Sequence, residues 1–238
     1  MQDTRITKER IRNHFTYGWW KYAVLVVAAI LGWNLFYTTT AYRAPKDKRL
    51  DLYFVTYGLP ETVTDWFSQQ VLALFPELED SMCASISYMD DDNYYGSMQL
   101  STYVGAAEGD IYIMTRERFD AFKGMGVFVN LDDAVASGVI DVRGMDVSRG
   151  IATTEEGDRG LYGIPAEPLY GLMEQFGIDN RDLMLCVMAY SENQHIAIQF
   201  VDWMVGEMMA PKPDWLAEQE ATKVESSGGQ EISDIPSY

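Results

Sequence analysis

The chain has 238 residues, and its 18 Lys and Arg stand against 36 Asp and Glu, a net charge of −18. Residues 1–49 hold nine basic and three acidic side chains, net +6, whereas the remaining 189 residues hold 9 basic and 33 acidic, net −24. So acidic a part repels nucleic acid and anionic lipid headgroups, and acidity of this kind serves solubility more often than it selects a cationic partner.

The first element in chain order is "WWKYAVLVVAAILGWNLFY", Trp19 to Tyr37. Nineteen helical residues span about 28 Å, close to the hydrocarbon thickness of a bilayer. Trp19, Trp20 and Tyr22 lie at one end and Trp33, Phe36 and Tyr37 at the other, the distribution of interfacial aromatic belts. Lys21 is near enough to an end to snorkel, and Asn34 is the single polar interruption. The segment is expected to be an uncleaved membrane anchor, with the lipid bilayer as its partner. Cleavage after the small residues Thr39-Thr40-Ala41 is the alternative. Four basic residues flank the span on each side, so charge leaves orientation balanced. Length decides it: 18 residues precede the span and a domain follows it, so the N-terminus is expected in the cytoplasm and the acidic domain outside the cell membrane.

After a polar spacer, residues 38–49, "LDLYFVTYG" (Leu50 to Gly58) reads as a strand apolar on both faces, as a central strand of a parallel sheet is. "ETVTDWFSQQVLALF" follows as a helix, with Val63, Trp66, Phe67, Val71, Leu74 and Phe75 on one stripe. "CASISYM" alternates more visibly and is expected as a strand nearer an edge. "NYYGSMQLSTYVGAAEG" reads as helix in spite of its glycines. "GDIYIMTRERFDAFKGMGVFVNLDD", Gly109 to Asp133, gives a buried strand, a helix with Phe119 and Phe122 on one face, and a second strand at the apolar piece Val127 to Val129. Residues 138–159 are expected as loop, Gly160 to Pro168 as a short extended piece, and "LMLCVMAYS" (Leu183 to Ser191) as another strand. Ser191 is the expected N-cap of a closing helix whose stripe is Ala197, Phe200, Val201, Met204 and Met208. Past Pro211 the pattern fades into an acidic tail, expected to be mobile.

This order predicts an α/β domain with a mostly parallel sheet flanked by helices. The organisation is a cytoplasmic segment 1–18, a transmembrane helix 19–37, a linker 38–49, an outer domain 50–210 and a tail 211–238. Cys83 and Cys186 sit in strand-like runs and are expected as small buried thiols, a disulfide being the alternative.

Taken together, these pieces resemble the extracellular solute-binding proteins that serve ABC transporters. An aspartate precedes the third strand, as Asp110 does, and an apolar pair leads into a turn matched by Val129-Asn130-Leu131-Asp132-Asp133. Tyr162-Gly163-Ile164-Pro165 resembles the segment leading into that family's hinge, and "AYSENQHIAIQFVDWM" resembles its late strand and helix. The resemblance runs from about residue 50 to 208. It departs in one respect: members close two lobes on a ligand, and here only Ala166 to Asp182 stands where a second lobe would be inserted. Seventeen residues make a helix and a turn, with Leu169, Leu172, Met173 and Phe176 covering the sheet. The resemblance therefore implies one lobe of a periplasmic-binding-protein-like fold.

It also implies ligand contacts on the loops that leave the strands: Thr56, Tyr57 and Gly58 after the first, Thr115 and Arg116 after the third. Tyr57 would stack on a sugar or peptide, or serve as an ordinary turn tyrosine. The expected role is a membrane-anchored extracytoplasmic binding or accessory module working through a membrane-protein or transporter partner. The alternative is a solute-binding component that completes its site with a partner or dimer mate. Met89 to Asn93 clusters three carboxylates without an EF-hand's glycine and distal glutamate, so a solvated turn is expected. His195 is alone in the outer domain, no nucleophile elbow is present, and Glu156 and Glu167 show no pairing signal. Metal, cofactor, nucleic acid and catalysis are not expected.

Overall fold

The structure is a computed structural model that describes residues 8–40, 44–56, 58–87 and 94–216. Tyr57, Met89 to Asn93 and the tail beyond residue 216 lie outside the described residues. The chain separates into two compact units, Met1–Arg43 and Ala44–Tyr238.

The first unit contains helix α1, Lys8–Thr40. Its apolar part, Gly18–Thr40, is 23 residues, about 34 Å, long and apolar enough to cross a membrane. Past Tyr37 the helix runs on through three threonines whose hydroxyls turn back onto it. Thr38 donates to the Asn34 carbonyl (2.9 Å), Thr39 to Leu35 (2.8 Å) and Thr40 to Phe36 (2.6 Å). Each polar group is thereby satisfied without water.

In the second unit, strands β1 (Arg49–Thr56), β2 (Asp80–Ser87), β3 (Ile111–Thr115), β6 (Ile164–Pro165) and β7 (Leu183–Val187) form a sheet in the order β2-β1-β3-β7-β6. β1 pairs in parallel with β2 and β3, whereas β7 is antiparallel to both β3 and β6. Four strands therefore point one way and β7 is reversed, so the sheet is mixed, with most strands sharing a direction. β2 is an edge strand, as its alternating pattern implied. Strands β4 (Ile151–Thr153) and β5 (Arg159–Leu161) make a separate antiparallel hairpin.

Alternate residues of each strand feed two cores. Leu50, Leu52, Phe54, Ile111, Ile113 and Leu185 pack under helix α2 (Glu61–Leu74), helix α6 (Gly171–Phe176) and helix α7 (Gln194–Met208). Phe54 meets Phe67 with ring centroids 5.0 Å apart, and Trp66 meets Phe176 at 4.8 Å, so α6 does cover the sheet. On the other face Tyr53, Val55, Tyr112, Met114 and Cys186 pack under helix α3 (Tyr94–Gly105) and helix α4 (Arg116–Phe122). A short helix α5, Asp132–Ala136, follows the turn at Asn130.

The structure corrects several expectations. Val127 to Val129 is no full strand: it contributes one bridge, Phe128 to Met188, beyond the end of β6 on the same edge of β7. Gly126 at φ +69° and the Asn130 side chain, which accepts the Asp132 N–H, turn the chain away on both sides. Residues 138–159 are not all loop, since they hold β4. Leu74 faces solvent at the last turn of α2. Ser191 is not the N-cap of α7: Asn193 holds that position, and the Ser191 hydroxyl is spent elsewhere. The expectation of free thiols holds for Cys83 and Cys186, of which Cys186 is buried and Cys83 only partly so. They lie on β2 and β7 with two strands between them, roughly 14 Å at sheet spacing, too far for a disulfide. Burial pushes the Cys83 thiol up to about 12 and raises that of Cys186. At the far end, Pro213 and Leu216 are buried, so packing continues a few residues into the expected tail.

Candidate functional site

In an open sheet whose chain winds first to one side and then to the other, a crevice opens where the order reverses, outside the carboxyl ends of the strands. Here β1 is followed by β2 on one side and β3 on the other, so the reversal lies between β1 and β3. Val55 pairs with Met114, and the next residues, Thr56 and Thr115, end these neighbouring strands side by side. Thr56, Gly58, Thr115 and Arg116 thus gather at one edge, with Tyr57 outside the described residues.

Local chemistry explains the arrangement. The chain leaves β1 through exposed Gly58, and the Leu59 N–H donates to the Ser85 hydroxyl oxygen (3.2 Å) before Pro60 opens α2. α4 starts directly at Arg116, whose N–H donates to the Asp182 carbonyl (2.8 Å), joining this edge to the start of β7. The Arg116 side chain is 43% exposed, its Nε 3.7 Å from Asp120, and its guanidinium stays available to solvent. The Thr115 hydroxyl oxygen is buried yet has no hydrogen-bond partner, and neither does Oδ1 of fully buried Asn180, three residues before Thr115's partner in register, Leu183. Buried polar atoms are normally paired. The edge presents a cation at Arg116 and exposed backbone at Gly58, which suits contact with polar or acidic groups.

The opposite, amino edge holds a network that the sequence reading noted only through Asp110. The Asp110 carboxylate accepts the Asp51 N–H (2.7 Å) and the Ser191 hydroxyl (2.5 Å), and its own N–H donates to the Asp51 carbonyl (2.8 Å). Arg49 pairs with Asp51 at 2.9 Å. The Asn193 amide donates to the carbonyls of Lys46 and Arg49, tying the entering segment to the start of α7. Tyr112 and Tyr190 both donate to the Glu108 carbonyl at 2.8 Å. A hollow of about 20 Å³ remains, room for about one water. Burial pushes Asp51 up to about 6 against the pull of Arg49, and burial raises Asp110 against the hydrogen bonds from Ser191 and Asp51. This is a structural knot. Its sequence signal was an aspartate, Asp51, inside an otherwise apolar strand.

No protein-family model matches the sequence, and no curated protein does. Solved structures that the chain is similar to include an extracellular solute-binding protein family 1 member from Alicyclobacillus acidocaldarius, at 24% identity and a TM-score of 0.39 over 50% of this chain and 28% of that one. An N-glycan transport solute-binding protein from Streptococcus pneumoniae is similar at 14% identity and a TM-score of 0.35, over 55% of this chain and 30% of that one. A de novo designed esterase is similar at 17% identity and a TM-score of 0.34, over 50% and 28%. The matched region spans less than a third of the length of each.

Proposed function

We propose that this chain is a membrane-anchored extracytoplasmic binding or accessory module, acting through a protein partner that engages the edge formed by Thr56, Tyr57, Gly58, Thr115 and Arg116. One observation carries the reading: the sheet is covered on both faces, and the stretch from Ala166 to Asp182 holds only the six-residue helix α6. That edge therefore has one wall. Small-solute sites enclose most of the ligand surface, whereas a partner protein brings its own second wall. The outward Arg116 and the exposed backbone at Gly58 supply polar recognition at that wall. The apolar helix supplies the anchor, and on this reading residues 1–18 lie in the cytoplasm and the acidic unit outside. A net charge of −24 beyond residue 49 argues against a nucleic-acid partner, and the role is binding, not catalysis.

A thermal-shift titration of the full chain in detergent micelles tests this. A solute held at a hundred times its dissociation constant adds about 2.7 kcal/mol of stability, a rise of several degrees for a domain of this size. Sugars, amino acids and short peptides are expected to leave the outer-domain transition within 1 °C, roughly the noise of such a scan. A solute-specific rise in the monomer overturns the proposal. A rise that grows with protein concentration favours a site completed by a dimer mate.

A further inference from the structure

A second concavity lies beyond the amino edge of the sheet, away from the site proposed above and independent of it. Its volume is about 480 Å³, within the range of small-molecule sites. Phe128 and Tyr162, both nearly buried, are among its lining residues, and Phe128 is fixed by stacking on Phe119 at 5.5 Å. The rim is the turn between β4 and β5, which presents the exposed carboxylates Glu155, Glu156 and Asp158. None of these three belongs to an ion pair among the described residues, and neither Lys nor Arg lines the cleft. The walls are already tied together: the Glu155 N–H donates to the Gly124 carbonyl (2.9 Å) and the Ala189 N–H to Val127 (2.8 Å). Gln194 donates its amide to the Ala189 carbonyl (2.6 Å), and its side-chain oxygen remains an acceptor.

We propose that this cleft binds an organic cation, an ammonium or guanidinium group carried on an aliphatic stem. The aliphatic stem lies along the apolar part of the lining, and the unpaired carboxylates at the rim set the sign of the charge. A compact metal ion fits less well, because no group of three or more acidic, histidine or cysteine ligands converges among the described residues. The ligand is either a free polyamine or a Lys or Arg side chain of a partner segment.

Calorimetric titration of the full chain in micelles with spermidine, a tetralysine peptide and an uncharged diol of similar length tests the proposal. Saturable one-to-one binding of a cation, with none of the diol, is expected; spermidine alone identifies a free polyamine, and the peptide a partner side chain. The triple variant Glu155→Gln, Glu156→Gln, Asp158→Asn should weaken binding at least tenfold. Glu61→Gln, Asp65→Asn, Glu174→Gln removes the same charge from exposed positions elsewhere and should change it less than twofold. Gly124→Leu, at a wall position where an added Cβ meets nothing within 4 Å, should block the cleft without lowering the melting temperature. Equal weakening by both charge triples means general acidity and overturns the proposal, as does the absence of saturable binding or full binding by Gly124→Leu.

Discussion

Gly150→Ala is expected to lower the stability of the α/β unit by about 3 kcal/mol, toward the upper end of the cost of overpacking, and its melting temperature by roughly 10 °C. A Cβ added at Gly150 falls 1.8 Å from the Gly163 carbonyl oxygen and 2.9 Å from the Leu161 side chain. The first neighbour is backbone, held where the sheet edge and the β4–β5 hairpin meet, and cannot rotate aside. The Gly150 carbonyl accepts the Tyr162 N–H at 2.9 Å, so relieving the clash also opens a hydrogen bond that fixes Tyr162 in the cleft lining. Gly124→Ala is the control: its Cβ meets open space, and a change under 0.5 kcal/mol is expected for such a surface substitution. Urea unfolding followed by tryptophan fluorescence reads both. Equal stability of the two variants would show that the hairpin does not pack against Gly163 as described.

The second large effect concerns Asp110. Asp110→Ala leaves the Asp51 N–H without its side-chain acceptor and the Ser191 hydroxyl without its partner, in surroundings where Asp51 is 3% exposed. A loss of about 2–3 kcal/mol follows from burying unpaired groups. Asp110→Asn keeps an acceptor for the Asp51 N–H, and the Ser191 oxygen, which already accepts the Asn193 N–H, can take a bond from the new amide. It should cost less than half as much. The same knot gives the domain a pH dependence of definite sign. Burial raises the folded pKa of Asp51 to about 6, above its unfolded value, so the folded state holds this proton more tightly. Its contribution is greatest at low pH and is lost as pH rises through about 6, which makes the domain about 1 kcal/mol more stable at pH 5 than at pH 7 from this group. Asp51→Asn should flatten that difference. A stability that rises from pH 5 to pH 7 in the parent chain, or equal losses in the Ala and Asn variants at position 110, would refute this account of the knot.

What was legible in the sequence follows from what each residue's neighbours are. β1, β3 and β7 were visible as apolar runs because both sheet faces are covered, and α2 and α7 as stripes because each buries one side. The β4–β5 hairpin was not visible. Its strands are three residues long, with one buried residue in β4 and two in β5, too short to show a period. Val127 to Val129 misled because apolarity does not reveal that Gly126 and the Asn130 turn leave room for one bridge only. Ser191 misled for the opposite reason: its residue type suits a cap, but its partner, Asp110, is 81 residues away in sequence. The candidate edge came from family resemblance, and periodicity alone says nothing about strand order. It is the order β2-β1-β3 and the Val55–Met114 register that bring Thr56 beside Thr115. The cleft proposed to take a cation had no sequence signal, because its lining comes from separate segments read as strand, loop and short extended piece.

The proposal that the carboxyl edge is a docking wall is tested most directly by placing a photoreactive amino acid at Arg116 in the full chain and irradiating intact membranes, with the same residue at exposed Glu207 on α7 as the reference. A discrete protein adduct from position 116, absent from position 207 and lost on Thr115→Arg, is the outcome this account requires. Labelling that is the same at both positions, or confined to 207, would contradict it.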